Sequence, residues 1–100
     1  MTTSRLEGDL QRQIIRWLKR HHVWHLKVVG SAVQTGGVPD ILVCYKSRFI
    51  ALELKRPDGK GILADRQRAH LDRIEKNGGI GVVIDDYNKF LELMESIEEC

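Results

Sequence analysis

Two short apolar runs lie back to back around Lys46-Ser47, residues 40–45 (Asp-Ile-Leu-Val-Cys-Tyr) and 48–55 (Arg-Phe-Ile-Ala-Leu-Glu-Leu-Lys). Runs of this length, rich in β-branched and aromatic side chains and joined by two polar residues, read as a β-hairpin. The hairpin constrains the fold more than any other feature, because two largely apolar strands have to be packed into a sheet and covered by helices. It also decides where charges meet. With Tyr45 opposite Arg48, the numbers of paired residues sum to 93 and Asp40 faces Glu53. A four-residue loop closed by Cys44 and Phe49 gives the same register. A three- or five-residue loop shifts it, and Lys46-Ser47 is not one of the favoured Asn-Gly or Asp-Gly turns.

Directly opposed residues have Cβ atoms ~5 Å apart, and like charges there repel. Two carboxylates facing each other at the end of an apolar hairpin are accounted for by a divalent cation that draws both in as ligands. Glu53 and Lys55 are two apart on one strand and so point to the same side, which brings an ammonium beside the pair. Mg²⁺ takes hard oxygen ligands and keeps several waters. One such water, acidified by the metal, can attack a phosphodiester. Lys55 would orient or deprotonate that water, or stabilise the charge building on the phosphorane. Two acids and a lysine at one point are thus the parts of a metal-dependent phosphodiesterase. The plainer alternatives are an edge-strand salt bridge, and an Asp40 that only serves the turn after Pro39.

The remainder of the chain supplies the covering layers. Residues 4–20 read as a helix, with Ser4 as N-cap, Glu7 as capping-box partner and Leu6, Leu10, Ile14, Trp17 and Leu18 on one stripe. Residues 23–29 read as a strand and residues 30–39, with Gly36-Gly37 and Pro39, as a loop. A second loop, 57–61, precedes a helix over 63–77 that Asn77-Gly78-Gly79 stops. Ile80 to Ile84 reads as a strand and Tyr87 to about Glu98 as a last helix. The order α-β-β-β-α-β-α predicts an α/β layer fold with a mixed, four-stranded sheet flanked by helices, one domain over residues 1–100. In the second helix Gln67 shares an inward stripe with Ala64, Leu71 and Ile74. A buried amide needs partners, so Gln67 is either a core glutamine satisfied by backbone or a group placed over the metal site. Glu7 is either the capping-box glutamate or a third acid at the metal.

Charge and cysteine usage narrow the setting. Residues 1–60 hold eleven Lys/Arg against five Asp/Glu, a balance of +6, and residues 61–100 five against nine, a balance of −4. A basic first part suits a polyanion on one face, although solvated helix faces give the same count. No apolar run approaches the ~20 residues that span a bilayer, and no signal-peptide pattern opens the chain. Two cysteines, Cys44 and Cys100, make no disulfide framework, which suggests free thiols in the cytoplasm. His21, His22 and His25 lie at the end of the first helix and read as a polar helix end, not a zinc site. The six aromatic residues mostly fit core spacing, leaving no row of stacking platforms.

At this point the residues resemble a family. Gly37-Val38-Pro39-Asp40-Ile41-Leu42-Val43, Phe49-Ile50-Ala51-Leu52-Glu53-Leu54-Lys55-Arg56-Pro57, Gln67-Arg68-Ala69 and Gly78-Gly79, with Glu7 on the first helix, resemble the VRR-NUC nucleases, a branch of the PD-(D/E)xK superfamily. The resemblance runs from Glu7 to about Asp85, and no Val-Arg-Arg tripeptide accompanies it. It implies a restriction-endonuclease-like αβββαβ core and hydrolysis of DNA phosphodiesters with Mg²⁺ or Mn²⁺. Carried over, Asp40 and Glu53 are metal ligands, the Leu54 carbonyl a further ligand and Lys55 the catalytic lysine. Glu7 assists at the metal, and Gln67 begins the motif of the second helix. Short stand-alone members from phages or bacteria resemble Holliday-junction resolvases and act as homodimers, so the expected substrate is branched DNA and the expected partner a second copy. Arg5, Arg12, Arg16, Arg56 and Lys60 are the expected DNA contacts. The competing reading is a non-cleaving nucleic-acid-binding subunit of a larger complex, separated from the first by a plasmid cleavage assay with Mn²⁺ and with EDTA.

Overall fold

The computed structural model describes residues 5–29, 36–59 and 61–99, with the Arg5 side chain left out. Seven elements follow in the expected order: α1 (Arg5–Arg20), β1 (Trp24–Lys27), β2 (Ile41–Tyr45), β3 (Arg48–Leu54), α2 (Asp65–Lys76), β4 (Ile80–Ile84) and α3 (Tyr87–Glu98). The expected N-cap Ser4 lies outside the described residues. The strand expected over 23–29 is trimmed to four residues, and the helix expected from 63 starts at Asp65 because Ala64 holds an extended backbone as its N-cap.

The sheet runs β1-β2-β3-β4. The first two pairings are antiparallel and β3–β4 is parallel, with α2 as the crossover. The hairpin adopts the register that opposes Asp40 and Glu53: Tyr45 pairs with Arg48 and Ile41 with Leu52. Its turn has φ of 50° at Lys46 and 66° at Ser47. Two consecutive left-handed residues make a type I′ turn, whose twist matches the strands. These two side chains are unusual in that conformation, so the packed strands, not the turn's own preference, fix it.

Alternation along the strands gives the sheet two unlike faces. Ile41, Val43, Ile50, Leu52, Leu54 and Ile84 are buried in one cluster with Leu10, Ile14 and Leu18 of α1 and Phe90, Met94 and Ile97 of α3. The other face, carrying Phe49, Ala51 and Glu53, receives α2 alone. A helix is ~10 Å wide and strands lie ~4.8 Å apart, so α2 covers about two strands, β3 and β4. Trp24 and Leu26 consequently stay more than half exposed and Phe49 only a little less, so the core spacing of most aromatics does not hold for Trp24 and Phe49. Of the histidines expected at the helix end, His21 stacks on Trp17 of α1 with ring centroids 3.9 Å apart, whereas His25 lies in β1. Among the described residues no helix is long and apolar enough to cross a membrane.

Candidate active site

Asp40 sits in a bend one residue before β2 and joins both of that strand's ladders. Its N–H donates to the Leu52 carbonyl at 2.9 Å, and its carbonyl accepts from the Val28 N–H at 2.8 Å. This places it opposite Glu53 by extension of the register. Its side chain reaches the end of β3, where Oδ2 accepts the Leu54 N–H at 2.7 Å. The loop leading into Asp40 is pinned to α2. Gly37 has φ +89°, and a Cβ there would lie 2.7 Å from the Arg66 Cβ and 2.9 Å from its carbonyl carbon. Glycine satisfies both the left-handed backbone and the close approach. We expect Gly37→Ala to destabilise the protein by about 1–3 kcal/mol, visible as a lower melting temperature, because either the loop or the first turn of α2 has to move.

Glu53 is the one charged residue buried among those described, at 2 % exposure. Its Oε2 accepts from Gln67 Nε2 at 3.0 Å and lies 3.8 Å from Lys55 Nζ. Its Oε1 is buried with no hydrogen-bond partner. Burial, and then the neighbouring Asp40 carboxylate, push the Glu53 carboxyl up to about 8, against a smaller opposing pull from Lys55. Gln67, third residue of α2, organises this cluster. Its Oε1 accepts from the Ala64 N–H and from Lys55 Nζ, both at 2.9 Å, while its amide nitrogen serves Glu53. One side chain thus caps the helix, holds the lysine and orients the acid. The alternative of a core glutamine satisfied by backbone does not hold, since two of its three partners are charged side chains. Gly61 leaves room for the lysine: a Cβ there would come within 3.2 Å of Lys55 Cδ.

Glu7 lies within electrostatic reach of this group. Its carboxyl is raised by burial and by Asp40, and lowered by Lys55 and Arg56. Among the described residues, however, no three His, Cys, Asp or Glu side chains converge into a ready-made cage. The close acid pair is Asp40 and Glu53. Their chemistry fits a hard divalent cation: two carboxylates share one point, and one buried oxygen lacks any donor. Of the expected DNA contacts, Arg56 is committed to Asp58 at 2.6 Å and Arg12 to Asp9, while Lys60 and the Arg5 side chain lie outside the described residues. Arg16 is exposed and makes no ion pair among the described residues. A cavity of about 450 Å³, lined by Phe49, His70, Arg73 and Ile74 among others, lies against the C-terminal end of α2, away from the carboxylates.

No protein-family model matches this sequence, and no curated protein does. Solved structures do match in fold. A "VRR_NUC domain protein" superposes with a TM-score of 0.77 over 98% of this chain and 92% of its own, at 16% identity. A "VRR_NUC domain" superposes with a TM-score of 0.75 over 92% of this chain and 97% of its own, at 19% identity. With these TM-scores and nearly full mutual coverage, the chain has the VRR-NUC fold.

Proposed function

We propose that this chain is a metal-dependent DNA endonuclease that hydrolyses phosphodiester bonds, selects branched DNA and works as a homodimer. The observation that carries the reading is Glu53: a buried acid with a partnerless oxygen beside Asp40, and a lysine held 3.8 Å from its other oxygen. A structural salt bridge needs only Glu53 and Lys55. The adjoining Asp40 carboxylate adds repulsion that a purely structural arrangement would avoid, and that a bound cation removes.

Asp40 and Glu53 would hold Mg²⁺ or Mn²⁺, with the Leu54 carbonyl and Glu7 as further oxygen donors. The bound ion supplies Lewis-acid chemistry, lowering the pKa of water and neutralising phosphate charge. Lys55 presents its ammonium to the scissile phosphate and stabilises charge developing on the oxygens. Gln67 fixes the height of that ammonium through its Oε1, and Glu53 is aimed by the same amide. Positioning of this kind is worth about 10–100-fold in activity. The shared VRR-NUC fold supports the reading. For the dimer, the support is edge strand β1, whose Trp24 and Leu26 are 59% and 51% exposed; apolar edge strands are where further chains pair.

Cleavage of duplex, flap, splayed-arm and four-way DNA with Mn²⁺, repeated in EDTA and accompanied by light scattering, tests the whole reading. Nicking that disappears in EDTA and in Asp40→Ala is expected, with Asp40→Ala still folded and still binding DNA. An Asp40→Ala protein that cuts normally removes Asp40 from the site. Absence of any nicking by the unaltered protein leaves the non-cleaving binding subunit.

A further inference from the structure

A groove of about 340 Å³ runs between α1 and β1, lined by Gln11, Arg12, Ile15, Arg16, Lys19 and Lys27. Ile15 packs against the core and forms an apolar floor, and four cations rim it. No acid lines it. Arg12 shares its charge with Asp9, but Arg16, Lys19 and Lys27 make no ion pair among the described residues and are exposed. Unpaired cations gathered around one groove repel each other and are stabilised by a polyanion laid among them.

The Lys27 wall of the groove adjoins the strand end that leads to Asp40, since Lys27 pairs with Ile41. Lys27 is followed by Val28, whose N–H donates to the Asp40 carbonyl at 2.8 Å. Gln11 lies one helical turn beyond Glu7, which feels the charge of Asp40. From Gln11 to Lys19 the helix rises about 12 Å, the axial length of three to four phosphates of one DNA strand. Lys27 is on the helix side of its strand, opposite in facing to Trp24 and Leu26, so the groove and the apolar face of β1 do not compete. We infer that the α1–β1 groove is the track for the phosphodiester backbone of a nucleic-acid strand, delivering it to Asp40 and Glu53 from the Lys19 end. The inference rests on the nuclease reading for the fate of the strand but not for its binding.

Affinity for a fluorescein-labelled duplex and a single strand of equal length, in EDTA so that nothing is cut, tests it. The double variant Arg16→Ala/Lys27→Ala is expected to bind at least tenfold more weakly at low salt. Its slope of log affinity against log salt is expected to fall by about 2, near one per cation removed. Lys76→Ala, at the far end of α2, should leave both quantities unchanged. Hydrolysis of bis(p-nitrophenyl) phosphate by the unaltered protein with Mn²⁺, a diester too small to lie along the groove, reads the acid pair separately from binding. An unchanged salt slope overturns the track, as does an equal loss in Lys76→Ala, or competition by polyglutamate as strong as by unlabelled DNA, which would assign the groove to an acidic protein. Groove-dependent binding by a protein that hydrolyses neither DNA nor the small diester would instead sink the nuclease reading and leave the track standing.

Discussion

Glu53→Gln is expected to abolish cleavage and, in the same protein, to raise the melting temperature of the metal-free form at pH 8. The two effects have one cause. Glu53 is buried beside Asp40, so its charged form bears both a desolvation cost and repulsion. Glutamine keeps the shape and keeps an oxygen to accept from Gln67. Its amide nitrogen replaces the partnerless Oε1 and can donate to the Asp40 carboxylate, turning a repulsive pair into a hydrogen bond. A gain of even ~1 kcal/mol raises the melting temperature of a domain this size by about 4–8 °C. The same change removes an anionic oxygen donor from the proposed metal site. Losing most of the metal's contribution corresponds to on the order of 10³-fold in rate, about 4 kcal/mol of barrier. Thermal melts in EDTA and plasmid nicking with Mn²⁺ read the two effects separately. A variant that nicks within tenfold of the unaltered protein, or that melts lower at pH 8, contradicts this account of Glu53.

The meeting of Asp40, Glu53 and Lys55 was legible in the sequence because a hairpin has few registers and side chains alternate with a period of two. What made it legible was strand patterning rather than turn chemistry, since Lys46-Ser47 adopts a type I′ turn that its residues do not favour. Gln67 stood out as a polar residue on an apolar stripe. Its three simultaneous partners were out of reach, because they depend on how closely α2 crosses the end of β3. Arg56, expected as a DNA contact, is paired with Asp58 two residues on, where the chain turns, a local contact that no periodicity signals. Lys27 was missed although the signal existed, since alternation from Trp24 puts it on the helix side of β1. Trp24 and Phe49 have core spacing, yet a lone helix is too narrow to cover their face. Spacing records which face a residue is on, and only the packing decides whether that face is covered.

In EDTA, the protein is expected to lose stability as pH rises from 5 to 8, and millimolar Mg²⁺ or Mn²⁺ is expected to restore it most strongly at pH 8. The sign follows from Glu53. Its carboxyl ordinarily titrates near 4.5 and is pushed up to about 8 in the folded chain. Between those values the folded protein holds a proton that the unfolded chain has released. Stability therefore falls with rising pH by up to about 1.4 kcal/mol per unit while both conditions hold. Glu7, shifted in the same direction by burial and by Asp40, adds to the slope. A total of a few kcal/mol is a large share of the 5–15 kcal/mol typical of a domain, and corresponds to a fall of about 10 °C or more in melting temperature. A cation competes with that proton for the same oxygens, so its stabilising effect should be small at pH 5 and grow toward pH 8. Glu53→Gln should remove most of the slope. Asp40→Asn should only reduce it, because burial, the larger cause, remains. A metal-free protein whose melting temperature is flat or rises from pH 5 to 8 would show that the acid pair is not strained, and the need for a cation between Asp40 and Glu53 would go with it.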